Sequence, residues 1–150
     1  MDDFAIELPI SEYFYSLNGL INVCSISSED LKISLQLFAT YFKKEFRYDF
    51  LQYNVKQSGN DTRYEGFLFS EFAMDYLEED SPACYRLIGG GCFKLGHDNT
   101  WRLDWVWLHP FARHRGNLSK HWGGFRKRYG EFSIEEPLSP DMADFLRKNV

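Results

Sequence analysis

From Trp101 to Tyr129 the chain reads WRLDWVWLHP and then FARHRGNLSKHWGGFRKRY, an apolar strand pattern broken at Pro110, a short basic loop around Gly116, and a basic helix. This order constrains the fold more than any other feature. A helix start leaves several main-chain N–H groups without intrahelical partners, and they carry partial positive charge out of its N-terminus. Placed at the end of a strand, such a junction is a site for phosphate.

Charge is unevenly distributed about it. The chain of 150 residues has a formal net charge of −5, yet residues 101–130 hold seven Lys or Arg against the single Asp104. Residues 1–100 hold eight basic and sixteen acidic side chains, and residues 131–150 two and five. A solvated helix face would give the same count in the middle segment. Its coincidence with the loop between Pro110 and Gly116 favours an anion site.

The remaining pattern fills in a mixed fold. Ser27 to about Phe46 reads as a helix, with Ser27-x-x-Asp30 as its N-cap signature and Leu31, Leu35, Phe38 and Phe42 as its apolar stripe. Residues 50–57 alternate with Leu51, Tyr53 and Val55 on one face, and after the turn residues Ser58-Gly59-Asn60-Asp61 residues 64–72 read as the returning strand of a hairpin. The segment 71–80 reads as a short helix or a loop, closed by Ser81-Pro82. Tyr85–Leu95 and Trp101–Leu108 are expected to pair antiparallel across Gly96-His97-Asp98-Asn99. A helix over 117–129, a strand over 131–136 and a last helix from Pro140 complete the order. Gly123-Gly124 inside the basic helix marks either a bend or close packing against the sheet. Simple alternation along 101–108 puts Arg102, Asp104, Val106 and Leu108 on one face and Trp101, Leu103, Trp105 and Trp107 on the other.

Leu108-His109-Pro110 followed by Arg113-x-x-Gly116-x-Leu118 resembles the acyl-CoA signature of the GCN5-related N-acetyltransferases (GNAT). The Ile88-Gly89 step resembles that family's entry into the preceding strand, and the resemblance spans roughly residues 85 to 148. It implies an α+β fold, a mostly antiparallel mixed sheet flanked by helices, with a βαβ unit that binds acetyl-CoA as cosubstrate. It also implies one domain over 1–150, with an acceptor-side half (1–84) and an acyl-CoA-binding half (85–150). The pantetheine arm would follow the backbone of Val106, Trp107 and Leu108. The pyrophosphate would rest on the amides of His114, Arg115, Gly116, Asn117, Leu118 and Ser119, with Arg113 and Arg115 adding charge and Lys120 reaching the outer phosphate.

Three departures from the family pattern stand out. Leu118 replaces the usual Gly or Ala, and a larger side chain there narrows the approach of backbone to phosphate. Arg102 occupies the position of a Glu base, leaving Asp104 as the nearest substitute, with His109 as another proton acceptor. Flanking by tryptophans would raise the Asp104 pKa and suit a base, whereas a salt bridge to Arg102 would make it structural. Phe145-Leu146 stands where many members carry Phe-Tyr, so the phenol that protonates the leaving thiolate is missing. The sequence reaches Val150 before the family's final two strands, so substrate-side walls are expected from the N-terminal half or from a homodimer partner.

The expected activity is acetyl transfer to an amine, on a small molecule or a protein lysine, and the acidic N-terminal half favours a cationic acceptor. The alternative is a catalytically inactive CoA-binding or protein-interaction module of the same fold. A nucleic-acid patch, with Trp122 and Phe125 stacking on bases, fits poorly with the net negative charge. Cys24, Cys84 and Cys92 match no common zinc spacing, no metal is expected, and Cys92 reads as a buried small hydrophobe. No run approaches the ~18 apolar residues of a membrane span, and the acidic Met-Asp-Asp-Phe start lacks the features of a signal peptide. A cytoplasmic protein is expected.

Overall fold

The computed structural model describes residues 6–76, 82–136 and 138–149. Its centre is a six-stranded sheet built from β1 (Ile10–Ser11), β2 (Leu20–Val23), β3 (Tyr64–Phe72), β4 (Tyr85–Leu95), β5 (Trp101–Leu108) and β6 (Ser133–Ile134). The strand order is β2-β3-β4-β5-β6, with β1 paired to β4. All pairings are antiparallel except β5 with β6, which is parallel. Four helices accompany it: α1 (Glu29–Phe46), α2 (Val55–Ser58), α3 (Asn117–Tyr129) and α4 (Pro140–Asn149). This is the α+β architecture that the resemblance implies, and β5-α3-β6 is its βαβ unit.

Two apolar clusters hold the helices to the sheet. Leu35, Phe38 and Phe42 of α1 share one with Leu68, Cys92, Trp105 and Trp107. Trp122, Phe125 and Tyr129 of α3 share the other with Phe67, Phe93 and Leu103, joined by Met142, Phe145 and Leu146 of α4. Trp122 and Phe125 are therefore core residues packed by other aromatic rings, and neither is free to stack on a base.

Several local expectations are corrected. Residues 50–57 form no strand, and β3 pairs with β2 instead. The Asn54 side chain accepts N–H groups from Lys56 and Gln57 and starts the single turn of α2, while Gln36 of α1 accepts the Val55 N–H at 2.8 Å. Alternation at Leu51, Tyr53 and Val55 reflects packing in the α1 cluster. The N-cap of α1 is Ser28 without a side-chain bond, because the Ser27 hydroxyl accepts the Cys24 N–H at 2.8 Å. Strand β6 is confined to two residues of the expected 131–136. Within 71–80, residues 74–76 form a 3-10 turn, and the part of that segment after Tyr76 lies outside the described residues.

The most consequential correction concerns β5. Cys92 of β4 pairs with Trp105, but Phe93 pairs with Leu103, so Asp104 is an extra residue and β5 bulges. The alternation reverses there. Trp101 and Leu103 pack with Val106 and Leu108 on the α3 side, while Trp105 and Trp107 face α1.

Glycines report the closeness of the packing. A Cβ on Gly91 would lie 2.5 Å from both the Phe67 ring and the Trp105 carbonyl oxygen. Gly123 and Gly124 meet nothing within 4 Å and are exposed, so close packing does not explain them. Two opposite outcomes are expected in urea unfolding. Gly91→Ala should destabilise by about 1–3 kcal/mol through overpacking, whereas Gly124→Ala should stabilise by up to about 1 kcal/mol through helix propensity.

Candidate functional site

The parallel pairing of β5 with β6 is limited to Arg102 with Ser133 and Leu103 with Ile134. A last bond runs from the Glu135 N–H to the Leu103 carbonyl, and then the strands part. Among the described residues the far edge of β5 from Asp104 to Leu108 has no strand partner. Its main-chain groups border a cleft between the two strands, closed on one side by α4.

At the end of β5 the chain enters a 3-10 turn at Pro110–Ala112 and then the loop into α3. His114 (φ 61°) and Gly116 (φ 81°) both adopt left-handed backbone, which turns the loop sharply into the helix. Gly116 is the N-cap and no side chain caps the helix. The main-chain N–H groups of His114 through Ser119 have no acceptor among the described residues. Six unpaired donors thus cluster at the positive end of a 13-residue helix.

All of these residues but Arg115 border a cavity of about 440 Å³ between the end of β5, this loop and α4. Val106, Trp107, Leu108, Arg113, His114, Gly116, Asn117, Leu118 and Ser119 all line it, whereas Arg115 and Lys120 are exposed and do not. Leu118 is buried in the α3 cluster with Ala112 and Trp122, so its side chain belongs to the floor and leaves the amides open. From α4 come Asp141, Met142, Asp144, Phe145, Lys148 and Asn149, of which only Phe145 belongs to a motif position, and Lys148 pairs with Asp144 at 3.2 Å. Phe145 packs edge-on to Trp122 at 4.9 Å, so the aromatic of the expected pair is used for packing. Ser119 Oγ donates to Asn149 Oδ1 at 3.1 Å and ties the start of α3 to the end of α4.

Arg113 is occupied elsewhere. Its Nε donates to the Leu108 carbonyl at 2.8 Å, and its two terminal nitrogens grip Glu45 of α1 at 2.8 and 2.5 Å. Glu45 also accepts Trp107 Nε1 at 2.9 Å. Burial opposes ionisation of Glu45, but the Arg113 and Trp107 bonds outweigh it and hold the carboxyl below its ordinary range. The guanidinium is a brace between α1 and the loop. Glu45 escapes sequence reasoning because it lies 68 residues away from Arg113.

A second cavity of about 970 Å³ adjoins the first. Phe46, Val106, Ser139 and Met142 line both. Asp104 lines the second with Arg102 and Glu135. Arg102 pairs with Glu135 at 2.7 Å, so the expected alternative of an Arg102–Asp104 salt bridge does not form. Burial raises the Asp104 carboxyl above its usual range, and Glu135 adds to the effect. Tyr48 and Tyr64 also line this cavity.

His109 borders neither cavity. Its Nδ1 accepts the Phe111 N–H at 3.1 Å, which leaves the neutral ring's proton on Nε2. Burial, then Arg113, lowers its pKa. The structure does not bring His109 to Asp104.

No protein-family model matches this sequence, and no curated protein is similar to it. The structure is similar to a ribosomal-protein-alanine N-acetyltransferase from Brucella melitensis biovar Abortus 2308, at 13% identity and a TM-score of 0.43 over 87% of this chain and 89% of that one. It is also similar to a transcriptional regulator from Bacillus halodurans C-125, at 16% identity and a TM-score of 0.47 over 86% and 90%. No helix among the described residues is long and apolar enough to cross a membrane.

The raised Asp104 pKa has a consequence for stability. The folded chain holds this proton to higher pH than the unfolded chain, whose carboxyl titrates near 3.9. Stability therefore falls as pH rises from the unfolded value through the folded one. Asp104→Asn should melt higher than the unsubstituted protein at pH 7, and the difference should vanish as pH falls to about 3.9, read from melting curves across that range.

Proposed function

We propose that this chain is a GNAT-like, acetyl-CoA-dependent N-acetyltransferase acting on an amine. The observation that carries the reading is the row of unpaired amides from His114 to Ser119 at the mouth of the cleft where β5 and β6 part. Those donors suit the pyrophosphate of CoA, and the open edge of β5 beyond the bulge offers peptide groups to the pantetheine arm. Phosphate charge is met by the helix terminus, since Arg113 is held by Glu45 and Lys148 pairs with Asp144 at 3.2 Å.

The chemistry then falls at the junction of the two cavities, beside Val106. The acceptor enters as an ammonium and gives one proton to the Asp104 carboxylate, directly or through one water. The freed nitrogen attacks the thioester carbon, the N–C bond forms, and the C–S bond breaks. Main-chain N–H groups on the free edge of β5 stabilise the oxyanion in between. The departing CoA thiolate takes up a proton from the reacting nitrogen, so no phenol at 145 or 146 is required for balance.

A second reading, a CoA-binding module without transfer, is favoured by Phe145-Leu146 and by the structural use of Arg113. The two readings separate by experiment. Calorimetry should detect acetyl-CoA binding to the native protein. Ser119→Glu places a carboxylate in the first turn of α3, where it favours the helix but repels phosphate, so affinity should fall at least tenfold, while the helix gain and the lost Ser119–Asn149 bond offset each other to within about 1 kcal/mol of stability. Asp104→Asn should retain acetyl-CoA binding and lower the rate of amine-dependent CoA release by about 100-fold or more. Unchanged affinity in the Ser119 variant would overturn the site, and unchanged turnover in the Asp104 variant would overturn the base. A cytoplasmic setting and a homodimer that supplies further walls belong to the same proposal.

A further inference from the structure

The acidic N-terminal half argues for a polycationic acceptor, but the second cavity does not share that balance. Arg47, Arg63, Lys94 and Arg102 line it, against four carboxylates. Two of those pairings are internal. Arg63 holds Asp61 at 3.1 Å and Arg102 holds Glu135 at 2.7 Å. Arg47 and Glu136 are exposed, which leaves them at the solvent margin. One carboxylate and one ammonium remain inside, at Asp104 and Lys94.

Neither has an ion-pair partner among the described residues. Lys94 lies 5.2 Å from the centre of the Tyr64 ring, a cation–π contact, and it acts on the carboxylates of Asp61 and Asp104 through space only. In the sheet Lys94 pairs with Arg102, and Asp104 follows two residues further along β5 at the bulge. Across the two strands that diagonal is about 7–8 Å. The Lys94 charge eases ionisation of Asp104 through space without contact. Between them is room for a ligand that carries both opposite charges.

We infer that this cavity binds a zwitterionic primary amine of the apolar α-amino acid class, its ammonium at Asp104, its carboxylate at Lys94 and its side chain against Tyr48 and Phe50. A monovalent carboxylate fits a single unspent cation, whereas a phosphate dianion would call for more. A diamine would place its second ammonium beside Lys94 and Arg102. The orientation sets the amine at the end of the cavity shared with the cleft, beside Val106. The inference rests on the acetyltransferase reading for the fate of the amine, but the binding itself does not require acetyl-CoA.

The test is calorimetric, on the intact chain, with leucine and phenylalanine, their decarboxylated amines isopentylamine and phenethylamine, and putrescine. Each amino acid should bind at least tenfold more tightly than its amine and than putrescine. Lys94→Met should bring amino acid and amine within twofold of each other, and Lys94→Arg should restore the preference. Amines or putrescine binding as tightly as the amino acids, a preference that survives Lys94→Met, or no measurable binding of any of the five would overturn the inference. Acetyl-CoA titration of the same preparation reports on the other cavity. A protein that binds acetyl-CoA without preferring zwitterions loses this inference alone, and one with the Lys94-dependent preference but no acetyl-CoA binding loses the transferase reading alone.

Discussion

One extra residue in a central strand governs the geometry of the site. Because Asp104 has no partner on β4, everything after it on β5 is rotated onto the opposite face relative to a regular strand. That rotation sends Trp105 and Trp107 into the α1 cluster and leaves Val106 and Leu108 facing α3. It coincides with the point where β6 leaves the sheet. The cleft, the open strand edge and the half-buried carboxylate all fall at this one irregularity.

A bulged strand end with one open edge needs bracing, and the brace comes from the other side of the molecule. Glu45 accepts hydrogen bonds from Trp107 and Arg113 together, and Arg113 returns to the Leu108 carbonyl. Bidentate, charge-assisted bonds of this kind fix orientation as well as proximity. The last turn of α1 thereby sets where β5 ends and where the loop of unpaired amides begins. A residue that resembles a phosphate ligand is used to hold the loop, and the helix terminus is left to provide the positive potential.

Charge follows the same logic of local cancellation. The acidic surplus of the first hundred residues and the basic surplus around α3 are whole-segment properties, whereas a ligand meets only the charges that line a cavity and remain unpaired. Arg63 and Arg102 are neutralised by neighbours two residues away in sequence or one strand away in space. What is left between Tyr64 and the bulge is a separated pair of opposite sign.

Much of the fold can be read locally. The spans of β4 and β5, the start of α3 after Gly116, the parallel crossover and the last helix from Pro140 all follow from periodicity and from breakers that act within a few residues. The loop itself is legible for the same reason, because glycine and a basic run mark it directly. Residues 50–57 mislead because alternation records burial without saying which element does the burying. The bulge at Asp104, the pairing of β2 with β3, the Glu45 brace and the cancellation of charges in the second cavity are settled between segments distant in the chain. Sequence alone determined where β4, β5, α3 and α4 begin, since those choices are made by neighbouring residues. Only the tertiary structure decided which faces, partners and charges remain available to a ligand, since each depends on packing against a surface that the local sequence does not contain.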